Sequence, residues 1–412
     1  MRKRLTIGSH MFISLIGSFC GPLAAQDVSP DWSQGTELRV ASRIGMPVLH
    51  DEVVYFGTEE GLVYAVNVDT GREIWRFKTG GPALPRPRVQ DGTVYIGSQD
   101  GWLRALDAST GELRWSFEAG NVDWPVRDIY INGTPTVVDG VVYFSSEDFN
   151  VYALDARTGV ERWRLRLGEE PQALEIPIVD GVAYIGAWDG FLYAIDVAKG
   201  EISWRSDTDN DHIGRTVRDP VHGLRWISDN PSGETLSNQA PYVTVVPIVT
   251  GEAVFFSDWA GNLMAVDRAT GVQQWRFKPP TANSRHVGSR SYIVMFDDVL
   301  FYSTLEDRHL YGVDASTGQQ VWQHETEGMP HGPMYLEDGV ALFGELILND
   351  EGQHSAFLAH ALDLRTRKVL WTTDDLTAFP FVTNGVVYYG GGDGAIHARD
   401  LRSGRKVERA EP

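Results

Sequence analysis

Runs of β-branched and aromatic residues punctuate the chain: EVVYFGT from Glu52, TVYIGS from Thr93, VVYFSS from Val141, VAYIGA from Val182 and VVYYGG from Val386. Such runs favour extended backbone, and the Asp-Gly or Asn-Gly pair that usually introduces them supplies the positive φ angles of a tight hairpin. A second apolar stretch follows each run and ends in a recurring phrase. The copies are VYAVNVDTGREIW from Val63, LRALDASTGELRW from Leu103, VYALDARTGVERW from Val151, LYAIDVAKGEISW from Leu192, LMAVDRATGVQQW from Leu263, LYGVDASTGQQVW from Leu310, AHALDLRTRKVLW from Ala359 and IHARDLRSGRKVE from Ile396. The Thr-Gly step predicts a turn between two strands, where a glycine such as Gly111 takes φ > 0 without strain.

The Asp-equivalent positions Asn67, Asp107, Asp155, Asp196, Asp267, Asp314, Asp363 and Asp400 lie 40, 48, 41, 71, 47, 49 and 37 residues apart. Periods of this size are those of propeller blades. Each unit reads as four antiparallel strands, so the chain is predicted to be all-β: one eight-bladed β-propeller over residues 26–412, with a large insertion at 205–241. The tryptophan four residues after most of these glycines reads as a wedge packed between neighbouring sheets, because large aromatics dominate buried energetics. Four positions depart from the phrase: Asn67, Lys199, Arg367 and Glu408, the last replacing tryptophan in the final copy. The strand-like segment TELRVAS, Thr36 to Ser42, is therefore expected to close the ring as the outermost strand of blade eight.

The pattern Ala-x-Asp-x-x-Thr-Gly-x-x-x-Trp, preceded by Asp-Gly-x-Val-Tyr, resembles the tryptophan-docking repeat of the pyrroloquinoline-quinone-type propellers over nearly all of residues 36–408. That family includes quinoprotein dehydrogenases and the non-enzymatic lipoprotein of the outer-membrane β-barrel assembly machinery. The resemblance implies the propeller fold far more directly than it implies a function.

If the first strand of each blade lines the channel, the Asp-Gly and Thr-Gly turns share one face. The long insertions, 118–132, 205–241, 278–290 and 346–356, then all belong to the other face, where binding residues on rigid scaffolds usually stand. Candidate partner-binding residues there are Trp124, Arg127, Arg215, Arg218, Trp226, Arg285, His286, Arg290 and His331, with Glu345 expected near the channel mouth. Guanidinium forks pair with carboxylates and stack on rings, and tryptophan supplies a large flat contact. Asp207, Asp209 and Asp211 have the spacing that opens a calcium loop. His212 stands where the bend needs glycine and the distal Glu is missing, so a solvated acidic turn is the reading.

The N-terminus carries Arg2, Lys3 and Arg4, an apolar stretch interrupted by Gly8, His10 and Gly17, and small residues ending at Ala25. This is the pattern of a secretory signal peptide, residues 1–25, and implies a periplasmic or secreted protein. The sole cysteine, Cys20, falls inside it, and Phe19 occupies the position where a lipidation signal wants a small residue. No later segment reads as a membrane span. The formal charge of −20 repels phosphate backbones, so no nucleic-acid partner is expected.

Two functions follow. One is a binding or scaffold module, a monomeric propeller without a cofactor, whose partner is a protein or cell-envelope component. The other, implied by the resemblance, is a dehydrogenase of alcohols or sugars using pyrroloquinoline quinone with calcium, for which Trp188 and Trp259 would offer stacking surfaces. The absence of cysteine beyond Cys20 removes the adjacent cysteine pair usual beside the quinone.

Overall fold

The computed structural model describes residues 44–68, 70–120, 130–171, 175–208, 214–219, 223–228, 243, 246–258, 261–280, 292–304, 308–349, 354–375, 380–390 and 396–407. The signal peptide, the closing segment 36–42 and Glu408 lie outside them. Every regular element among the described residues is a strand. Eight antiparallel sheets cover 48–78, 88–118, 136–166, 178–207, 248–277, 293–325, 329–373 and 381–400, each pairing its strands in chain order. They are the eight blades of the predicted propeller. Seven have four strands; blade eight has three, and its fourth edge begins with the bridge between Arg399 and Lys406, where Val407 N–H donates to the Ala398 carbonyl at 2.9 Å.

Local chemistry sets the corners. The Asp91-Gly92 and Asn384-Gly385 turns have both φ values positive, 49° with 66° and 52° with 73°, as type I′ hairpins require. At the other corner Asp107 Oδ1 accepts the N–H groups of Ser109 at 2.9 Å and Thr110 at 3.0 Å. Where Arg367 replaces the glycine of this turn, its φ is still 59°.

The tryptophans are wedges, as the sequence predicts. The indole Nε1 of Trp115 donates to the Ala156 carbonyl at 2.9 Å, and Trp163 does the same to Val197 at 2.8 Å. The turn glycine of the following blade lies beneath each ring: a Cβ added to Gly159 would stand 2.6 Å from Trp115 Cδ2.

Buried clusters alternate with the sheets. Tyr55, Val63 and Ala65 of blade one pack with Val94, Ile96 and Leu106 of blade two, and six further clusters join the successive pairs up to blades seven and eight. The remaining cluster, Val54, Phe56, Tyr64 and Val66 with Ile44 and Leu49, draws only on blade one and its lead-in.

Two boundaries differ from expectation. Residues 205–207 belong to the outer strand of blade four, since Asp207 pairs with Phe191, so the large insertion starts after them. The expected insertion at 346–356 is largely absorbed into longer strands, with Leu346 opposite Phe357 and Ile347 opposite Ala356.

Candidate functional site

The two classes of connection separate onto opposite faces. On one, Val68 N–H donates to the Glu52 carbonyl at 2.8 Å and Leu401 N–H to that of Gly385 at 2.8 Å, tying each third-to-fourth-strand turn to the first hairpin turn of its blade. On the other, Thr79 N–H donates to the Gly61 carbonyl at 2.8 Å and Thr208 N–H to that of Gly190 at 3.0 Å. The outer strand thus returns beside the second-to-third-strand turn, and every blade-to-blade connection leaves from that face.

The built-up face carries a device the sequence reading missed. Gly214–Asp219 and Gly223–Ser228 form an antiparallel ribbon between blades four and five, with Arg215 opposite Ile227, Thr216 opposite Trp226 and Arg218 opposite Leu224. Three of the nine candidate residues therefore share one two-stranded element. The alternation of β-branched, aromatic and polar residues in GRTVRD and GLRWIS is the signal that could have revealed it. His331 lies on the inner strand of blade seven, Met329–Glu337, as expected. Trp124, Arg127, Arg285, His286 and Arg290 lie outside the described residues.

Many charged groups on this face hold blades together. Gly80 N–H, at the end of blade one, donates to Asp100 of blade two at 2.7 Å, and Asp100 also pairs with Arg104 at 2.7 Å. Burial alone raises the Asp100 carboxyl, but these donors outweigh it and the net shift is downward. Gly120 N–H donates to the Tyr152 hydroxyl at 3.0 Å, and that hydroxyl donates to Asp148. Burial, reinforced by the Asp148 charge, pushes the Tyr152 phenol up. In blade four Tyr193 donates to Asp189 at 2.5 Å, and burial raises the Asp189 carboxyl.

Glu345, expected near the channel mouth, is 1% exposed, accepts the Gly328 N–H of the connection from blade six, and sits 2.8 Å from His360 Nε2 in a close contact rather than an aligned hydrogen bond. His360 Nδ1 in turn lies 2.9 Å from Thr372 Oγ1, and the imidazole stacks on Phe343 with centroids 4.9 Å apart. Desolvation works against the Glu345 carboxylate, yet His360 and the Gly328 N–H hold it below its ordinary value.

Inside the channel, Arg88 of blade two reaches past blade three: its Nε donates to the Pro135 carbonyl at 3.1 Å and its guanidinium pairs with Glu175. Burial raises the phenol of Tyr335 on the blade-seven inner strand, opposed by the charge of Arg86. Among the described residues no three or more His, Cys, Asp or Glu side chains are grouped to hold a metal ion, and no helix is long and apolar enough to cross a membrane.

Fold and faces together define an eight-bladed quinoprotein-type propeller with one plain and one elaborated side. A family model described as outer membrane protein assembly factor BamB matches residues 25–210, 120–236 and 175–409, and the chain belongs to that family of pyrroloquinoline-quinone-type repeat propellers. The solved structure of BamB from Moraxella catarrhalis superimposes with a TM-score of 0.56 at 18% identity, covering 75% of this chain and 82% of that one. The computationally designed Ika8 protein gives 0.61 at 14% identity, covering 87% and 96%. At these identities the likeness is one of fold. Among curated proteins, a tetrathionate hydrolase of Acidithiobacillus ferrooxidans is 24% identical over 202 residues, 44% of this chain and 37% of that protein. The quinohemoprotein alcohol dehydrogenase ADH IIB of Pseudomonas putida is 31% identical over 157 residues, 36% of this chain and 21% of that enzyme. The chain thus spans well under half the length of either relative.

Proposed function

We propose that this protein is an exported, periplasmic or secreted propeller that works as a binding or scaffold module, recognising a protein or cell-envelope component on its elaborated face. The observation that carries the reading is the division of the connections. Hairpin turns alone make up one face, while the blade-to-blade connections, the one bearing the Gly214–Asp219/Gly223–Ser228 ribbon among them, leave from the other. A rigid scaffold bearing its variable segments on one side is the usual architecture of a recognition surface. The family match, described by an assembly factor, supports a protein partner.

Trp124, Arg127, Arg215, Arg218, Trp226, Arg285, His286, Arg290 and His331 are the proposed contact residues, since Arg and Trp dominate binding hot spots once desolvated. Photo-crosslinking residues placed at 215 and 226 should trap the partner in intact cells, and the same residue at Ser109, on the plain face, should trap nothing. Crosslinks confined to the plain face would overturn the reading.

The similarity to a quinohemoprotein dehydrogenase over 157 residues favours a second reading, a quinone-dependent dehydrogenase. That reading requires a set of oxygen ligands for calcium beside the quinone. Titration with pyrroloquinoline quinone and calcium, followed by absorbance and dye reduction, discriminates: tight binding with turnover replaces the scaffold reading.

A further inference from the structure

Charge is spread unevenly over the plain face. The chain has a formal charge of −20, and most corners of this face follow it. Blade one exposes Asp51 and Glu52 at its first hairpin turn, and blade six exposes Asp297 and Asp298. The later turns of blades five and six, residues 269–273 and 316–320, hold no charged side chain. In blades two, three and four the corner cations Arg114, Arg162 and Lys199 each pair with the aspartate of their own turn, at 2.7, 2.9 and 3.1 Å. Blades seven and eight reverse the sign. Arg365, Arg367 and Lys368 in one turn and Arg402, Arg405 and Lys406 in the next are all exposed, and among the described residues of these two corners the one exposed acid is Asp338.

The two turns are held side by side. Trp371 Nε1 donates to the Leu401 carbonyl at 2.8 Å, and the ring lies on Gly404. Arg365 and Arg402 donate to the same oxygen, the carbonyl of Asp338, at 3.2 and 2.6 Å. Two guanidiniums are thereby held together against their mutual repulsion on one neutral acceptor, an arrangement that an anion over them would relieve. The carboxylates that approach are already engaged. Asp363, 3.6 Å from Arg402, accepts the N–H groups of Arg365 and Thr366, and Asp375, 4.0 Å from Lys406, pairs with Arg399. Beyond Val407 the sequence adds Glu408, Arg409 and Glu411, too few acids to reverse the sign of six cations.

Apolar side chains stand among these cations: Val369, Leu370 and Val407 are 36%, 40% and 48% exposed. Lysine and arginine mixed with exposed aliphatic groups make a surface suited to a bilayer, where the cations meet phosphate headgroups and the apolar groups enter the acyl boundary. An acidic peptide would satisfy the cations and leave the three aliphatic side chains in water. Charges more than about 8 Å away are screened at ordinary ionic strength, so the corner acts by its own sign and not by that of the whole chain. We infer that this corner of the plain face docks on a bilayer that bears anionic phospholipids. The propeller then stands with blades seven and eight against the membrane and its elaborated face turned away. This goes beyond the scaffold reading and does not depend on which partner that face takes.

The test is sedimentation of the exported protein with vesicles of phosphatidylglycerol and phosphatidylcholine in equal parts, and with vesicles of phosphatidylcholine alone. The protein should pellet with the first and stay in solution with the second. Sodium chloride at about 1 M, where the screening length is about 3 Å, should release it. Lys368→Glu together with Arg405→Glu should weaken binding about tenfold or more at an unchanged melting temperature, since each cation near an anionic surface adds to the attraction. Arg157→Glu, at the same corner of blade three, should leave binding as it was. The lipid and salt arms use the unaltered protein, so they stand whatever the variants do to folding. No pelleting with either vesicle, equal pelleting with both, or equal loss from Arg157→Glu and the double variant overturns the proposal. Capture of polyglutamate without vesicle binding assigns the corner to an acidic chain, and release by inorganic phosphate at an ionic strength where sodium chloride leaves the protein bound assigns it to a free anion; either result overturns the membrane. Vesicle binding with no crosslink at 215 or 226 rejects the scaffold reading alone, and the converse result rejects only this inference.

Discussion

The indole Nε1 of Trp75 donates a 2.8 Å hydrogen bond to the carbonyl of Ala108, so the outer strand of blade one is pinned to the corner of blade two. The ring also lies on Gly111, whose Cα hydrogen faces it: an added Cβ would stand 2.7 Å from Trp75 Cδ2. One contact therefore couples two sheets through a residue that has to be glycine for two reasons, its φ of 74° and its neighbour.

These two reasons can be separated. Gly111→Ala and Gly140→Ala both force alanine to a positive φ, 74° and 72°, but a Cβ at Gly140 meets nothing within 4 Å. Each should lose about 1–2 kcal/mol for the left-handed backbone. Gly111→Ala should lose a further 1–3 kcal/mol, roughly, from overpacking against the indole. Urea melts of the two variants give the difference; equal losses would mean that the indole does not clamp the turn.

The buried Glu345–His360 contact should be costly to break from one side. His360→Ala leaves a carboxylate 1% exposed with only the Gly328 N–H, and a loss of about 3–5 kcal/mol is expected. Adding Glu345→Leu to it should recover much of that loss, because the charge is then gone. A double variant less stable than His360→Ala would refute the pairing.

Acid should loosen the plain face. The Asp155 carboxyl is lowered to about 2, chiefly by hydrogen bonds from Arg162 and Thr158, and Asp107, Asp196, Asp267, Asp314, Asp363 and Asp400 are all lowered by equivalent turn contacts. A depressed carboxylate contributes stability that is fully present above its unfolded pKa and disappears as pH falls through the folded one. Melting temperature should hold above pH 4 or so and fall steadily toward about pH 2, and Asp155→Asn should flatten part of that slope. A melting temperature indifferent to pH across this range contradicts the assignment.

Deleting residues 36–42 should open the ring. Among the described residues blade eight has three strands, and the cluster around Phe56 and Tyr64 draws nothing from it, which makes this seam unlike the other seven. Early melting or aggregation is expected if that segment supplies the missing edge. An unchanged melting temperature rejects this closure.

Export is checked by mass. The mature protein should begin at Gln26 without a lipid, and an acylated Cys20 at the N-terminus reverses that expectation.

Much of the fold is legible because its unit repeats. A single VYALDARTGVERW is a weak signal, but its repetition fixes strand order, turn class and the role of Trp163: Trp75, Trp115, Trp163, Trp204, Trp275 and Trp371 each donate to a carbonyl at the corner of the next blade. The site was less legible. Arg215 and Trp226 stand out by residue type within a long insertion, and their placement on one ribbon depends on a register visible only in the backbone. The burial of Glu345 is not legible in the sequence, because no local pattern names the groups that will cover it. Its burial follows from Gly328 and His360, which approach it from the blade-six connection and an adjacent strand.

The sequence by itself determined the number of blades, the two kinds of turn and the separation of the faces, because these rest on φ preferences and strand alternation within some 40 to 50 residues of chain. Only the tertiary structure decided which charges are consumed between blades and where the outer strands stop. Asp100 finds Gly80 and Glu345 finds Gly328 across a seam, and the fourth strand of blade seven stops at Thr373 as the chain turns away to blade eight. Such outcomes depend on how adjacent sheets meet in space, and no local pattern encodes the distance between groups that different blades bring together.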